Sequence, residues 1–195
     1  MTSSEELRQA IEACTRCSIG KLYTRKHTVP AWAGPNYDGK IAVMCEAPGA
    51  QEDETGIPLV GRAGQLFDRL LAAAGLDRGR LLLLNRVRCR PTGNNLKAHP
   101  DAVPRCHPWT VAEIREYDPK VVVAMGATAF GDVFGANVKV GETRGTVRRT
   151  GEDDELGPRI WIATYHPASL LRPGGKENAA LVIGDLLLAK TLANA

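Results

Sequence analysis

Four cysteines stand where thiolates could ligate a metal: Cys14, Cys17, Cys89 and Cys106. Cys14 and Cys17 form a tight C-x2-C pair ahead of the first apolar run, and 16 residues separate Cys89 from Cys106. Zinc knuckles usually bring two tight pairs close in sequence. Irregular spacing with four thiolates suits an iron–sulfur cluster equally well, so spacing leaves both metals open. The fifth, Cys45, directly follows an apolar run and reads as a small buried residue. A second chemical stretch is Met44 to Gly64, MCEAPGAQEDETGIPLVGRAG. It places Glu46, Glu52, Asp53 and Glu54 among prolines and glycines, between an apolar run and a helical pattern. Ligands of open α/β sheets bind beyond the carboxyl ends of strands, where such loops sit.

The elements that must position these residues follow from periodicity. Apolar runs at Lys40 to Met44, Leu81 to Val87 and Lys120 to Met125 have strand length. Val147 to Arg149 and Ile160 to Thr164 read as strands around an acidic turn. Helices are expected from a Ser3 or Ser4 cap through Ile11, from Ala63 to Ala74 with Gly75 as C-cap, through Val111 to Tyr117, over ATAFGDVF, and from Glu177 to Leu192. Residues 18–40 show no period and read as irregular loop. The alternation of strand and helix predicts a parallel sheet covered by helices, an α/β fold. At 195 residues, one domain spanning 1–195 is expected, and 44% hydrophobic residues can fill its core.

A net charge of +3 does not by itself demand nucleic acid. Two clusters, Arg86, Arg88 and Arg90, and Arg144, Arg148 and Arg149, are candidate DNA contacts or solvated faces. No apolar run approaches the ~20 residues that span a bilayer. The start of the chain is polar and acidic, unlike a signal peptide. A soluble, cytoplasmic monomer is expected.

The segments CEAPGAQEDETGIPLVGRAG, LLLNRVRCRP, VVVAMGATA and TYHPASLLR, with the four cysteines, resemble the family 4 uracil-DNA glycosylases, the iron–sulfur branch of that superfamily. The resemblance runs from about Ala13 to Arg172. It implies a three-layer sandwich with a central four-stranded parallel sheet flanked by helices. It also implies a structural 4Fe-4S cluster on Cys14, Cys17, Cys89 and Cys106. The implied activity is removal of uracil from single- or double-stranded DNA, leaving an abasic site. The alternatives are a uracil-DNA-binding protein with little turnover and a cluster-stabilised nucleic-acid-binding module.

Particular residues carry the implied roles. Asn85 resembles the amide that reads the Watson–Crick edge of a flipped uracil. His166 resembles the donor to uracil O2, where charge builds as the glycosidic bond breaks. Glu46 or Asp53 would orient the water; Glu52 resembles a pocket wall that crowds a thymine methyl. Ala47 stands where better-studied relatives carry an Asp, and it joins Glu52, Leu59, Asn85 and His166 in the implied uracil-binding set. Ser169, Leu170, Leu171 and Arg172 would meet DNA, a leucine as the wedge and Arg172 on a phosphate, although Leu170 and Leu171 also suit the core of a short helix. Gly126-Ala127-Thr128 opens a helix whose N–H groups could bind phosphate. The family usually has Gly in place of Cys45 and Phe in place of Leu59. A related branch traps uracil-DNA through a His in an extra basic loop; Asn94 to Arg105 has no such insertion, and His99 reads as a surface histidine.

Overall fold

Short β-branched and leucine-rich runs form the centre of a six-stranded sheet. Its strands are β1 (Trp32–Ala33), β2 (Ile41–Cys45), β3 (Leu81–Asn85), β4 (Val121–Met125), β5 (Val147–Arg149) and β6 (Ile160–Thr164), in the order β1-β3-β2-β4-β6-β5. The computed structural model describes residues 4–22, 26–135 and 138–195. The inner strands β3, β2, β4 and β6 are parallel and buried at every position, as strands covered on both faces must be. The two outer strands are antiparallel. The sheet is therefore mixed: the expected four parallel strands carry a short edge on each side. Trp32–Ala33, expected to be irregular, is one of these edges.

Alternate residues of each inner strand feed two separate cores. One face presents Val43, Leu83, Val123 and Ile162 to α3 (Arg62–Ala73), α7 (Pro167–Leu170) and α8 (Ala179–Asn194). The other presents Met44, Leu84, Ala124 and Trp161 to α4 (Ala102–Tyr117) and α5 (Ala127–Phe134), and the short α6 (Val140–Thr143) precedes β5 in the chain. The result is three layers, helix on sheet on helix. Helix α1 (Ser4–Glu12) packs on α4 through Leu7 and Ile11. The cap candidate Ser3 lies outside the described residues, and Ser4 is already helical. At the end of α3, Gly75 takes φ +61° and Leu76 donates to the Leu71 carbonyl, which closes the helix as expected.

Three local expectations change. The acidic stretch read only as a loop contains a helix, α2 (Ala50–Thr55), in which Glu52 and Asp53 are buried. Helix α4 starts before Cys106, not after it, because Pro104 sits in the first turn, where no N–H is required. Pro108 leaves one further backbone bond unmade inside that helix. Helix α8 begins at Ala179, preceded by a 3-10 turn at Gly175–Asn178, and leaves Leu181 and Leu187 exposed while Asp185 is buried.

The arginine clusters are also reassigned. Arg86 and Arg88 are 2% and 1% exposed, so they form neither a DNA face nor a solvated one. Arg88 pairs with the equally buried Glu113 and donates to Thr110 at 2.7 Å. Arg86 pairs with Asp132 at 2.6 Å. Arg144 is bound to Asp185, which also accepts from Thr164 Oγ1 at 2.6 Å. Removing one partner of such a pair strands a buried charge. Arg144→Ala should therefore cost roughly 3 kcal/mol, the low end for that effect, because Arg144 keeps some solvent. Arg149→Ala, on the exposed edge strand, should be nearly silent. Urea unfolding of both variants checks this; equal midpoints would show that Asp185 does not depend on its pair.

Candidate active site

The strand order reverses across β2. The chain leaves β2 toward β3 on one side, and after β3 it crosses to β4 on the other. Such a reversal opens a crevice at the carboxyl ends of the strands. A cavity of about 640 Å³ lies there. Its lining includes Cys45 and Glu46 from the end of β2, Asn85 from the end of β3, Met125 and Gly126 from the end of β4, and His166 just beyond β6. The long loop after β2 supplies Ala47, Glu52 and Leu59, and α7 supplies Ala168 and Ser169, with Arg172 just beyond.

Glu52 holds that loop in place. Its carboxylate accepts from the backbone N–H of Gly49 at 3.0 Å, Val60 at 3.0 Å and Gly61 at 2.8 Å. Arg78 takes the other side of the same turn, donating to the carbonyls of Pro58 at 2.8 Å and Leu59 at 2.9 Å. Between these clamps Leu59 adopts φ +55°, a conformation L residues seldom take. Gly64 makes room for it: a Cβ there would stand 1.9 Å from the Leu59 carbonyl oxygen. Leu59 is buried against the core cluster and forms part of the cavity wall.

Asn85 is 3% exposed, and its amide Nδ2 has no hydrogen-bond partner among the described residues. A buried, unpaired donor in a cavity wall is costly unless a ligand satisfies it. His166 caps α7: its Nδ1 accepts from the Ala168 N–H at 3.1 Å. The neutral ring must then carry its proton on Nε2. Burial holds its pKa below the usual histidine value; nearby Glu46 and Glu52 pull the other way, and Arg172 adds to the lowering. Glu46 Oε2 accepts from Thr128 Oγ1 at 2.6 Å. That hydroxyl at the start of α5 is thus committed to a carboxylate, not to a phosphate. Cys45 is buried in the same wall, and burial, with Glu52 and Glu46 beside it, pushes its thiol well above the ordinary range.

Two expected site residues face elsewhere. Asp53 does not line the cavity. It is buried, and its Oδ1 accepts from the N–H groups of Lys26 and His27 at 3.2 and 3.3 Å, so α2 turns it away from any water above Glu46. Leu170 is 2% exposed within the core against α3 and cannot enter DNA, whereas Leu171 is exposed. Ser169 donates to the His166 carbonyl at 2.7 Å. Pro91, Asn94 and Arg62 line the cavity without any sequence signal that marks them.

The cysteines lie behind this cavity. Cys17, Cys89 and Cys106 are buried in one small cluster with Ile19, Val87 and Ala102, and Ala47 packs against it from the cavity side. No disulfide joins any cysteine among the described residues. Nor are three Cys, His, Asp or Glu side chains there placed to hold a single metal ion. The sulfurs nonetheless meet donors: Trp109 Nε1–H points at Cys14 at 3.2 Å, the Gly20 N–H at Cys17 at 3.4 Å and the Arg88 guanidinium at Cys106 at 3.9 Å. Such a donor set suits thiolates rather than thiols. A staple closes the cluster from outside. Asp101 accepts from both the N–H and the hydroxyl of Ser18, and His99 bonds the same hydroxyl at 3.0 Å. Here Asp binds Ser rather than His, so the trio is no catalytic triad. None of these partners is visible as a spacing in the sequence.

Comparison with known proteins agrees with this geometry. Residues 32–184 match the family model of the uracil DNA glycosylase superfamily. The type-4 uracil-DNA glycosylase of Thermotoga maritima is 36% identical, over 98% of this chain and 97% of its own. That of Pyrobaculum aerophilum is 36% identical over 86% of this chain and 84% of its own, and that of Archaeoglobus fulgidus 33% over 91% and 88%. With the strand-end cavity, the unpaired Asn85 amide and the sulfur cluster behind them, these likenesses place the chain in the type-4 family of the uracil-DNA glycosylase superfamily.

Proposed function

We propose that this protein removes uracil from DNA by hydrolysis of the N-glycosidic bond, leaving an abasic site. The relatives' shared name supports the activity. The observation that carries it to particular residues is the Asn85 amide, buried and unpaired in the cavity wall. A uracil extruded from the stack presents an N3–H to the amide carbonyl and an O4 to Nδ2. Cytosine presents the reverse pattern and leaves both groups mismatched.

As the C1′–N1 bond breaks, its electron pair passes to the departing uracil and negative charge gathers on O2. The His166 Nε2–H supplies a preorganised donor there, and an imidazole kept neutral serves because the charge forms only in the transition state. Glu46, held by Thr128, faces the developing sugar cation and orients the water whose oxygen bonds C1′; the proton of that water passes to solvent or to the carboxylate. Ala47 and Glu52 complete the wall on the loop side. Arg172, exposed in the cavity lining, and its exposed neighbour Leu171 stand where a phosphate would be met and a duplex held open. Uracil-containing DNA, single- or double-stranded, is the substrate in this reading.

Cys14, Cys17, Cys89 and Cys106 would hold a 4Fe-4S cluster. Each thiolate of such a cluster binds its own iron, so the four need not converge on one point. Ligation by these four cysteines would tie the segment after α1 to those around Asn85 and α4, and no step of the cleavage runs through it.

The experiment is an alkali-treated gel assay of labelled uracil-containing DNA. Asn85→Asp should abolish cleavage or admit cytosine. His166→Ala should slow cleavage about 100-fold with DNA binding little changed. Retained turnover in both variants would move the pocket elsewhere, and tight binding by the parent without any cleavage would favour a uracil-DNA-binding protein.

The pH dependence follows from His166. Its pKa lies below the ordinary value of about 6.5, so the neutral donor persists as pH falls through that value. Cleavage should lose no His166-dependent rate between pH 8 and about 6.5. In the window between the lowered native pKa and the ordinary one, only the unfolded chain takes up the proton. Stability from this group is thus intact above the window and declines as pH falls through it. His166→Asn should flatten that part of the stability profile, measured by urea unfolding across pH.

Leu59 offers a gain-of-function test. Base–aromatic stacking contributes roughly 1–3 kcal/mol by truncation, and leucine keeps much of the apolar contact. Leu59→Phe should therefore tighten inhibition by free uracil about fivefold and raise kcat/KM modestly. A normally folded variant with neither change would show that Leu59 does not face the base.

A further inference from the structure

Of the four cysteines proposed as ligands, Cys17, Cys89 and Cys106 are buried in one cluster, and Cys14 is the partly exposed one. It lies just past the end of α1, where the Cys14 N–H donates to the Ile11 carbonyl at 3.0 Å. Trp109, on the third turn of α4, reaches across 95 residues of sequence to donate its indole N–H to Cys14 Sγ at 3.2 Å. The same ring packs against the cysteine cluster. Its other contact is Arg16, within the C-x2-C loop itself, whose guanidinium carbon stands 4.2 Å from the ring centroid. The indole thus meets the sulfur at its edge and the guanidinium on its face, which joins Cys14, Arg16 and Trp109 at the partly exposed corner. A cation on the ring face is favourable, and it holds the loop between Cys14 and Cys17 against α4.

We propose that Trp109 is a positioning residue for the cofactor: its indole N–H fixes the Cys14 thiolate, and its ring, backed by Arg16, closes the corner where a bound cluster meets water and dioxygen. The inference rests on the cluster reading above but assigns a task to a side chain outside the ligand set and the base-binding cavity. Hydrogen bonds to ligand sulfurs and solvent exposure both set a cluster's reduction potential. A donor stabilises the more electron-rich, reduced form, so its loss lowers the potential. Closure by the ring limits access of oxidant and water to the corner. The two contributions are separable by substitution. Trp109→Phe keeps an aromatic ring for Arg16 and removes only the N–H. Trp109→Leu removes both. Arg16→Gln, at an exposed position, removes the cation and leaves the indole bond.

The experiment compares parent, Trp109→Phe, Trp109→Leu and Arg16→Gln, all purified anaerobically. Iron and zinc content, the visible spectrum, the rate of bleaching in air and the reduction potential by mediated titration are measured. Parent and Trp109→Phe should carry equal iron, with the potential of Trp109→Phe displaced to lower values and its bleaching faster by about fivefold, the worth of one hydrogen bond. Trp109→Leu should bleach faster still, and Arg16→Gln should bleach faster than the parent with its potential lowered less than that of Trp109→Phe, because the exposed cation is screened by solvent. An iron-bearing Trp109→Phe with the parent's potential and bleaching rate overturns the inference alone. A parent that binds zinc or no metal overturns the cluster reading on which it rests. If Trp109→Phe and Trp109→Leu fail to fold, Arg16→Gln decides: bleaching at the parent's rate overturns the proposed closure, and faster bleaching supports it.

Discussion

The site depends on one buried carboxylate. Glu52 is 7% exposed and accepts three backbone N–H groups from two separate points of the loop after β2. Without those donors the charge would be prohibitively placed; without the charge the donors would be orphaned in a water-poor wall. Each makes the other tolerable, and together they fix a loop that periodic structure cannot fix. The left-handed Leu59, the side-chain-free Gly64 and the Arg78 clamp are all arranged around that fixed turn. The cavity keeps its wall because the turn has one conformation.

A second constraint joins the cavity to the sulfur cluster. The residues from Asn85 to Cys89 form one short, buried stretch. It is bonded alongside the end of β2, with Arg86 N–H to the Cys45 carbonyl at 2.7 Å and Val87 N–H to the Glu46 carbonyl at 2.9 Å. Ala47 touches both the cavity and the cluster. Arg88 then spans from Glu113 to Cys106 within α4. The proposed roles in base recognition, water positioning and metal ligation would thus fall on neighbouring peptide bonds, so that none could shift without moving the others.

Much of this was legible in the sequence, and the failures share a cause. The inner strands declared themselves as short apolar runs, because burial on both faces leaves no other composition possible; only their ends differ, with β3 stopping at Asn85 rather than Val87. Helix α5 was legible to the residue, since Gly126 and Gly135 bracket its apolar stripe. What stayed hidden is polar pairing at long range. Glu52 looks like any loop acid until Val60 and Gly61 are folded over it. Arg86, Arg88 and Arg144 look like a basic surface until Asp132, Glu113 and Asp185 are brought beside them. Asp53, one residue from Glu52, points to a different neighbour because a single helical step rotates it out of the cavity. The edge β1, two residues long, has no periodicity to read.

The separation of the cysteines along the chain has a consequence for biosynthesis. The buried sulfur cluster draws on Cys17 and Ile19, on Val87 and Cys89, and on Ala102 and Cys106. A ribosome delivers the first of these segments long before the last, at roughly 5–20 residues per second. The C-x2-C pair therefore spends several seconds outside with no pocket to enter, a reactive dithiol on a growing chain. Strands β2 and β3 emerge in that interval and can begin the parallel sheet. The Cys106 wall arrives only with α4, and with it Trp109 and Glu113. Metallation of the proposed site would then be a late event of maturation, waiting on a scaffold that hydrophobic burial has to assemble first.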